Sequence, residues 1–383
     1  MSDPFADIRP YRDEEVTPVI DRLMRDPELL GALARLKLGN AALFLPLLWR
    51  QLASFRLKRE LRGVSDVYGL QMVVKKYLEQ MITSATGGFS VSGLEQLDTS
   101  RAYLFMSNHR DIAMDPALTN YALNLGGHQT IRIAIGDNLL TKPWVSDLMR
   151  LNKSFIVNRS VSGPRELLAA SKQLSSYIHY SICDETASIW IAQREGRAKD
   201  GVDRTEPVII KMLGMSRNKK AQTFGEHIAS LSIVPVSISY EFDPCDALKA
   251  NELYQLQSAG SYEKGEQEDV ASIAQGIAGD KGRVHVSFGT PLDSQFETPD
   301  EVAAEVDRQV IEQYCLHPTN VYAYEMLYPG NGPIPKDLFI EDGDCSRDQF
   351  RARIGALPEV HRPYALAIYA NAVVSKLNQQ VTS

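Results

Sequence analysis

The chain has 383 residues, room for one large α/β domain with appended helices or for two domains. Its 44% hydrophobic and 23% charged residues are an ordinary globular composition, and a net charge of −7 argues against a nucleic-acid binder that works through overall charge. Cys183, Cys245, Cys315 and Cys345 have no metal-ligand spacing, so neither a zinc site nor a disulfide framework is expected. The first residues lack the apolar core of a signal peptide, and no apolar run approaches the ~20 residues of a membrane-spanning helix. The expectation is a cytoplasmic protein.

From Glu14 to Ser84 the pattern is helical, with no convincing strand. Within it, Leu29–Leu61 sets an apolar series (Leu38, Ala41, Leu43, Phe44, Leu47, Trp49, Leu52, Phe55) beside Arg35, Lys37, Arg50, Arg56, Lys58, Arg59 and Arg62. One reading is a helix, kinked or divided at Pro46, lying in the surface of an anionic membrane. The other is a helical hairpin that packs its apolar side on the main domain and leaves its cations solvated. Periodicity alone does not separate them.

After Gly87-Gly88, Phe89 opens an alternating stretch that suits an edge strand. Strands are then expected at Ala102–Phe105, Ile131–Ile135, Ser154–Val157, Ser188–Ala192, Ser232–Ser239 and Val284–Phe288. Helices are expected at Pro116–Leu125, Arg165–Tyr177, Thr205–Leu213, Glu301–Tyr314 and Tyr364–Leu377. Ala250–Lys281 is polar and glycine-punctuated without usable apolar periodicity, and Leu327–Asp344 reads as a Pro/Gly-rich connection. The alternation implies an α/β fold: a mixed, largely parallel sheet flanked by helices, with an N-terminal helical region and C-terminal helices. The expected division is an N-terminal region over 1–88, an α/β domain over 89–295 and a C-terminal extension over 296–383.

The chemistry concentrates in Met106-Ser-Asn-His-Arg-Asp-Ile-Ala-Met-Asp-Pro-Ala117. His109 stands where a strand ends and a helix begins, a usual place for a catalytic group in an open α/β sheet. Asp115 lies six residues on, close enough to orient an imidazole that takes a proton from a hydroxyl. Asp-Pro before an apolar-periodic segment is equally a helix cap with proline at the first position, so capping and catalysis both fit Asp115. No serine or cysteine nucleophile motif accompanies the pair, which points to a hydroxyl on the substrate.

Asn108-His109-Arg110 followed by an Asp resembles the first block of the glycerophospholipid acyltransferase family, His-x4-Asp, except that five residues separate His109 from Asp115. Either Asp115 reaches the imidazole across the longer loop or Asp111 takes part. Ser154-Phe-Ile-Val-Asn-Arg-Ser160 resembles the second block, in which Arg159 matches an arginine that holds the acceptor's phosphate. Ile191-Ala-Gln-Arg-Glu-Gly-Arg-Ala-Lys199 resembles the third: Glu195 for the acceptor's polar groups, Gly196 for close backbone approach, Arg197 and Lys199 for phosphate charge. Ile233-Val-Pro-Val-Ser-Ile-Ser-Tyr-Glu241 resembles the fourth, a structural strand with an internal proline, and Phe288-Gly-Thr-Pro-Leu292 resembles the end of the domain.

The resemblance implies transfer of a fatty acyl group from a thioester, on coenzyme A or acyl carrier protein, to a hydroxyl of glycerol-3-phosphate or 1-acylglycerol-3-phosphate. His109 would be the base and Asp115 its partner; Arg159, Glu195, Gly196, Arg197 and Lys199 would bind the acceptor. It implies no metal or organic cofactor. Its partners would be the acyl thioester, a phosphorylated glycerol or lysophospholipid, acyl carrier protein and an anionic membrane surface, with the protein peripheral on the cytoplasmic face and no nucleic acid involved. A thioester or lipid hydrolase, and a non-catalytic lipid-binding protein on the same fold, are the alternatives; the altered His–Asp spacing keeps the last of these open.

Overall fold

Among the described residues seven strands form where the apolar, β-branched runs lie: β1 Gly88–Ser92, β2 Leu104–Ser107, β3 Arg132–Gly136, β4 Ser154–Val157, β5 Ile189–Ala192, β6 Ile233–Tyr240 and β7 Arg283–Phe288. The computed structural model describes residues 3–38, 46–265, 268–340 and 345–382, with the side chains of 33–38, 46–50, 53 and 382 left aside. The chain divides into two units, Met1–Glu79 with Arg132–Tyr177, and Gln80–Ile131 with Ile178–Ser383.

In the second unit β1, β7, β6, β2 and β5 pair in that order, all parallel except β6 with β7. The sheet is therefore mixed and largely parallel. All four residues of β2 and all eight of β6 are buried, so both faces of these strands are covered and they read as continuous runs rather than alternating ones. Pro235, the internal proline of this stretch, lies in interior strand β6 opposite Met106. It is tolerated because β7 has ended at that level: Gly289 N donates to Pro235 O (2.8 Å), and the missing N–H falls at the ladder's end.

Ala250–Lys281, which offers no periodicity, is largely helical: Asp246–Ala259 and Glu268–Ala278, with 266–267 outside the described residues. The apolar signal fails because the first helix buries polar groups, Asp246, Lys249 and Glu252, while Leu248 and Leu256 are exposed. The second buries Ser272 and Gly276 and exposes Val270 and Ile277. Helices Pro318–Leu327, Arg347–Gly355 and Arg362–Thr382 close the unit around Phe350, Tyr369 and Val373. The last residues of the Leu327–Asp344 connection, 341–344, lie outside the described residues.

The first unit pairs β3 with β4 in parallel and packs helices around Val16, Ile20, Leu23, Leu29, Val67, Leu70 and Leu151. Arg22 makes a forked pair with Asp147, which also accepts from Tyr11 Oη. The Leu29–Leu61 segment contributes helices Pro27–Leu38 and Pro46–Glu60. Ala41, Leu43 and Phe44 lie outside the described residues. Pro46 opens the second helix, where its missing N–H costs nothing. Leu52 and Phe55 on that helix are exposed. No helix among the described residues is long and apolar enough to cross a membrane.

Candidate active site

β2 delivers the chain into a six-residue loop and then into helix Met114–Leu125, which starts two residues earlier than its apolar pattern suggests. His109 Nδ1 lies 2.9 Å from Asp115 Oδ2 across the five intervening residues. The same oxygen accepts from Arg110 N (2.6 Å) and Asp111 N (2.8 Å), and Oδ1 accepts from Tyr240 Oη (2.7 Å). Four donors thus converge on a side chain with no solvent exposure, an arrangement that the acceptor-only carboxylate answers. Nδ1 then carries the imidazole proton, and Nε2 keeps the lone pair. Nε2 has no hydrogen bond among the described residues, and the His109 side chain is 14% exposed.

Asp111, the other candidate partner, faces elsewhere. Its Oδ1 accepts from Ala113 N (3.0 Å) and Met114 N (2.8 Å) at the helix start, so the capping work falls to Asp111 rather than to Asp115. Asp115 sits within the first turn, where the helix dipole also favours a negative charge. Burial first, and then the neighbouring Asp115 charge, push the Asp111 carboxyl above its usual range. Gly276 passes directly over it: a Cβ there would come within 2.1 Å of Asp111 Oδ2.

The loop is tied to its surroundings at each step. Asn108 behaves as an extra strand residue, accepting from Ile238 N (2.8 Å) and donating to Ile238 O (3.0 Å) and Asp203 Oδ2 (3.1 Å). Arg110 points inward to Asp203 Oδ2 (2.6 Å) and Gly201 O (3.0 Å), over the ring of Tyr314. Buried Lys249 donates to Arg110 O (2.7 Å) and pairs with Asp243. Trp190 stands edge-on to the imidazole, centroids 5.8 Å apart, and is held by a hydrogen bond from its Nε1 to Ser107 Oγ (3.0 Å). Burial first, with the Asp115 and Asp111 charges added, holds the Tyr240 phenol well above its usual range, so it remains a donor.

The segment after β5 meets this loop through a backbone bond, Ala198 N to His109 O (2.7 Å). Glu195 is exposed, and its N–H donates to Glu206 Oε2 (3.3 Å). Gly196 has φ +70°, a left-handed turn that favours glycine, with open space among the described residues where a Cβ would stand. Arg197 is buried, with Nη2 3.4 Å from Ser272 Oγ, and Lys199 pairs with Glu252. Arg159 belongs to the other unit; its N–H donates to Asp137 Oδ1 (3.1 Å) beside Gly136. Tyr240, Trp190, Asp203 and Lys249 had no signal in spacing, since each reaches the loop from a distant part of the chain. No group of three or more His, Cys, Asp or Glu able to hold a metal occurs among the described residues.

A model of the acyltransferase family matches residues 88–239, the stretch that carries β1 through most of β6 and the His109 loop. No curated protein matches the chain. Among solved structures, the 1-acyl-sn-glycerophosphate (LPA) acyltransferase PlsC from Thermotoga maritima aligns at 16% identity with a TM-score of 0.33, covering 74% of this chain and 95% of that one. That likeness is too loose to bear on activity.

Proposed function

We propose that the chain, whose residues 88–239 match a model of the acyltransferase family, moves a fatty acyl group from an acyl thioester to a hydroxyl of a phosphorylated glycerol, either glycerol-3-phosphate or its 1-acyl derivative. His109 Nε2 takes the proton of the acceptor hydroxyl, and that oxygen bonds to the thioester carbonyl carbon. The tetrahedral adduct collapses with loss of the C–S bond, and the proton held on His109 passes to the leaving thiolate. No acyl-enzyme forms. The observation that carries this reading is the buried, four-donor Asp115 fixing Nδ1 while Nε2 has no hydrogen bond among the described residues.

In the same reading Arg197 binds the acceptor's phosphate. A guanidinium with five N–H donors and one long side-chain bond keeps donors for a ligand. Glu195 takes the acceptor's polar groups, Gly196 shapes the turn, and Lys199, paired with Glu252, adds charge behind it. The resemblance gives Arg159 the same phosphate role. The test is thiol release from acyl-coenzyme A and acyl carrier protein across a panel of glycerol phosphates and lysophospholipids. Release that depends on a phosphorylated acceptor supports transfer. Free fatty acid without any acceptor indicates a hydrolase, and binding without turnover a lipid-binding protein.

We also propose that the Leu29–Arg62 region meets anionic membrane, supported by exposed Leu52 and Phe55 beside Arg56, Lys58 and Arg59. Co-sedimentation with anionic vesicles should fall with added salt, because exposed attraction is screened over ~8 Å at physiological ionic strength. Equal binding to neutral and anionic vesicles, or none, favours the packed hairpin.

A further inference from the structure

We infer that Tyr240 is a positioning residue for the His109–Asp115 pair: its phenol, fixed at the end of β6, sets the plane and the hydrogen-bonding strength of the carboxylate that holds the imidazole. This rests on the reading of His109 as the base.

Three of the four donors on Asp115, namely His109 Nδ1, Arg110 N and Asp111 N, belong to the His109 loop, and all three meet Oδ2. They fix the carboxylate relative to the loop but not the loop relative to the sheet. Tyr240 Oη is the donor from outside, and among the described residues it alone meets Oδ1. Its backbone is anchored in the β6–β7 ladder opposite Val284, and its ring is buried. Asn108 is bound to Ile238, two residues earlier on the same strand. β6 therefore clamps the loop at both ends, Asn108 before His109 and Asp115 after Asp111. A loop with five residues between imidazole and carboxylate has more freedom to lose than a shorter one, and the phenol removes it.

The phenol also shares the negative charge of the carboxylate. Without it, Oδ1 is left buried with no donor, more charge rests on Oδ2, and the imidazolium becomes easier to form. The other charged groups around the pair, Asp111, Asp243, Lys249, Lys281 and Arg110, stay in place when only the phenol oxygen is removed.

The experiment is steady-state kinetics of Tyr240→Phe as a function of pH. The kcat should fall about three- to thirtyfold, a part of what a general base contributes. Both KM values should stay within about twofold, since the bound substrates lose no contact. The acid limb of kcat/KM should move up by roughly half a pH unit or more. In a His109→Ala background the same substitution should add nothing. Replacing Tyr240 by a difluorotyrosine keeps the fold and the hydroxyl but makes a stronger donor, and the acid limb should then move down. An unchanged kcat and acid limb in Tyr240→Phe, whatever its melting temperature, overturns the inference while leaving His109 as base. So does an undiminished Tyr240→Phe effect without His109, or an acid limb indifferent to fluorination. Full turnover by His109→Ala alone overturns both.

Discussion

The loop after β2 and the segment after β5 share a backbone hydrogen bond, Ala198 N to His109 O, and the contacts of Asn108 and Arg110 with Gly201 and Asp203, yet they are built differently. The first is closed on itself and its neighbours. Asp115 has four donors, Asp111 two, the Asn108 side chain three hydrogen bonds, and Lys249 grips the Arg110 carbonyl. The second leaves Glu195 exposed, turns at Gly196 in open space, and gives the Arg197 guanidinium one 3.4 Å bond to Ser272. A group that must act in the transition state is held before substrate arrives, so that no reorganisation is spent at the moment of reaction. A group that must bind keeps its donors for the ligand. The difference predicts separate kinetic signatures for the two.

The largest break should come at Asp115. Asp115→Asn removes the charge and turns an acceptor toward Nδ1 into an amide, and kcat should fall by about a hundredfold to ten-thousandfold. The acceptor KM should change little. Asp111→Asn should lower the melting temperature more than kcat, because Asp111 serves the helix start. The reverse pattern in the two mutants would reassign the partner of His109.

The segment after β5 should fail in binding instead. Arg197→Met should raise the acceptor KM about tenfold to a hundred-and-fiftyfold at saturating donor, the value of a lost charge-assisted contact of roughly 1.5–3 kcal/mol. Arg159→Met tests the same role in the other unit independently. Lysine at Arg159 should recover part of the loss, since a point charge cannot reproduce the fork. An unchanged acceptor KM and kcat in both methionine variants would place the phosphate contact elsewhere.

The smallest effect tests how rigid the first loop is. An alanine at Gly276 pushes its Cβ onto Asp111 Oδ2, and the pinned carboxylate has nowhere to retreat. Crowding of this kind costs about 1–3 kcal/mol, partly offset by the ~1 kcal/mol that alanine gains over glycine within a helix. Urea unfolding of Gly276→Ala should show a net loss. Equal or greater stability would mean that the loop yields.

What the sequence made legible follows from the physics of each element. β2, β5 and β6 stood out because strands buried on both faces read as apolar runs. His109 and Asp115 stood out because they are near in sequence and flank a strand-to-helix turn. Tyr240 did not, because its partner is 125 residues away and nothing in the spacing links them. Helix Asp246–Ala259 was hidden by inversion. Its inward face carries Lys249 for Asp243 and Glu252 for Lys199, so the polar side that usually marks solvent here marks the interior. The same polar interior supplies Lys249, which helps to hold the His109 loop.

The most direct test of the account is the turnover of His109→Ala, measured as acceptor-dependent thiol release in protein whose near-UV spectrum and lipid binding match the wild type. The imidazole forms none of the carboxylate's other three hydrogen bonds, so the loop should stay in place without it. Acyl transfer should drop by about a hundredfold to ten-thousandfold, the contribution of a general base. Near-normal turnover in that folded variant would contradict the assignment of His109 as the base.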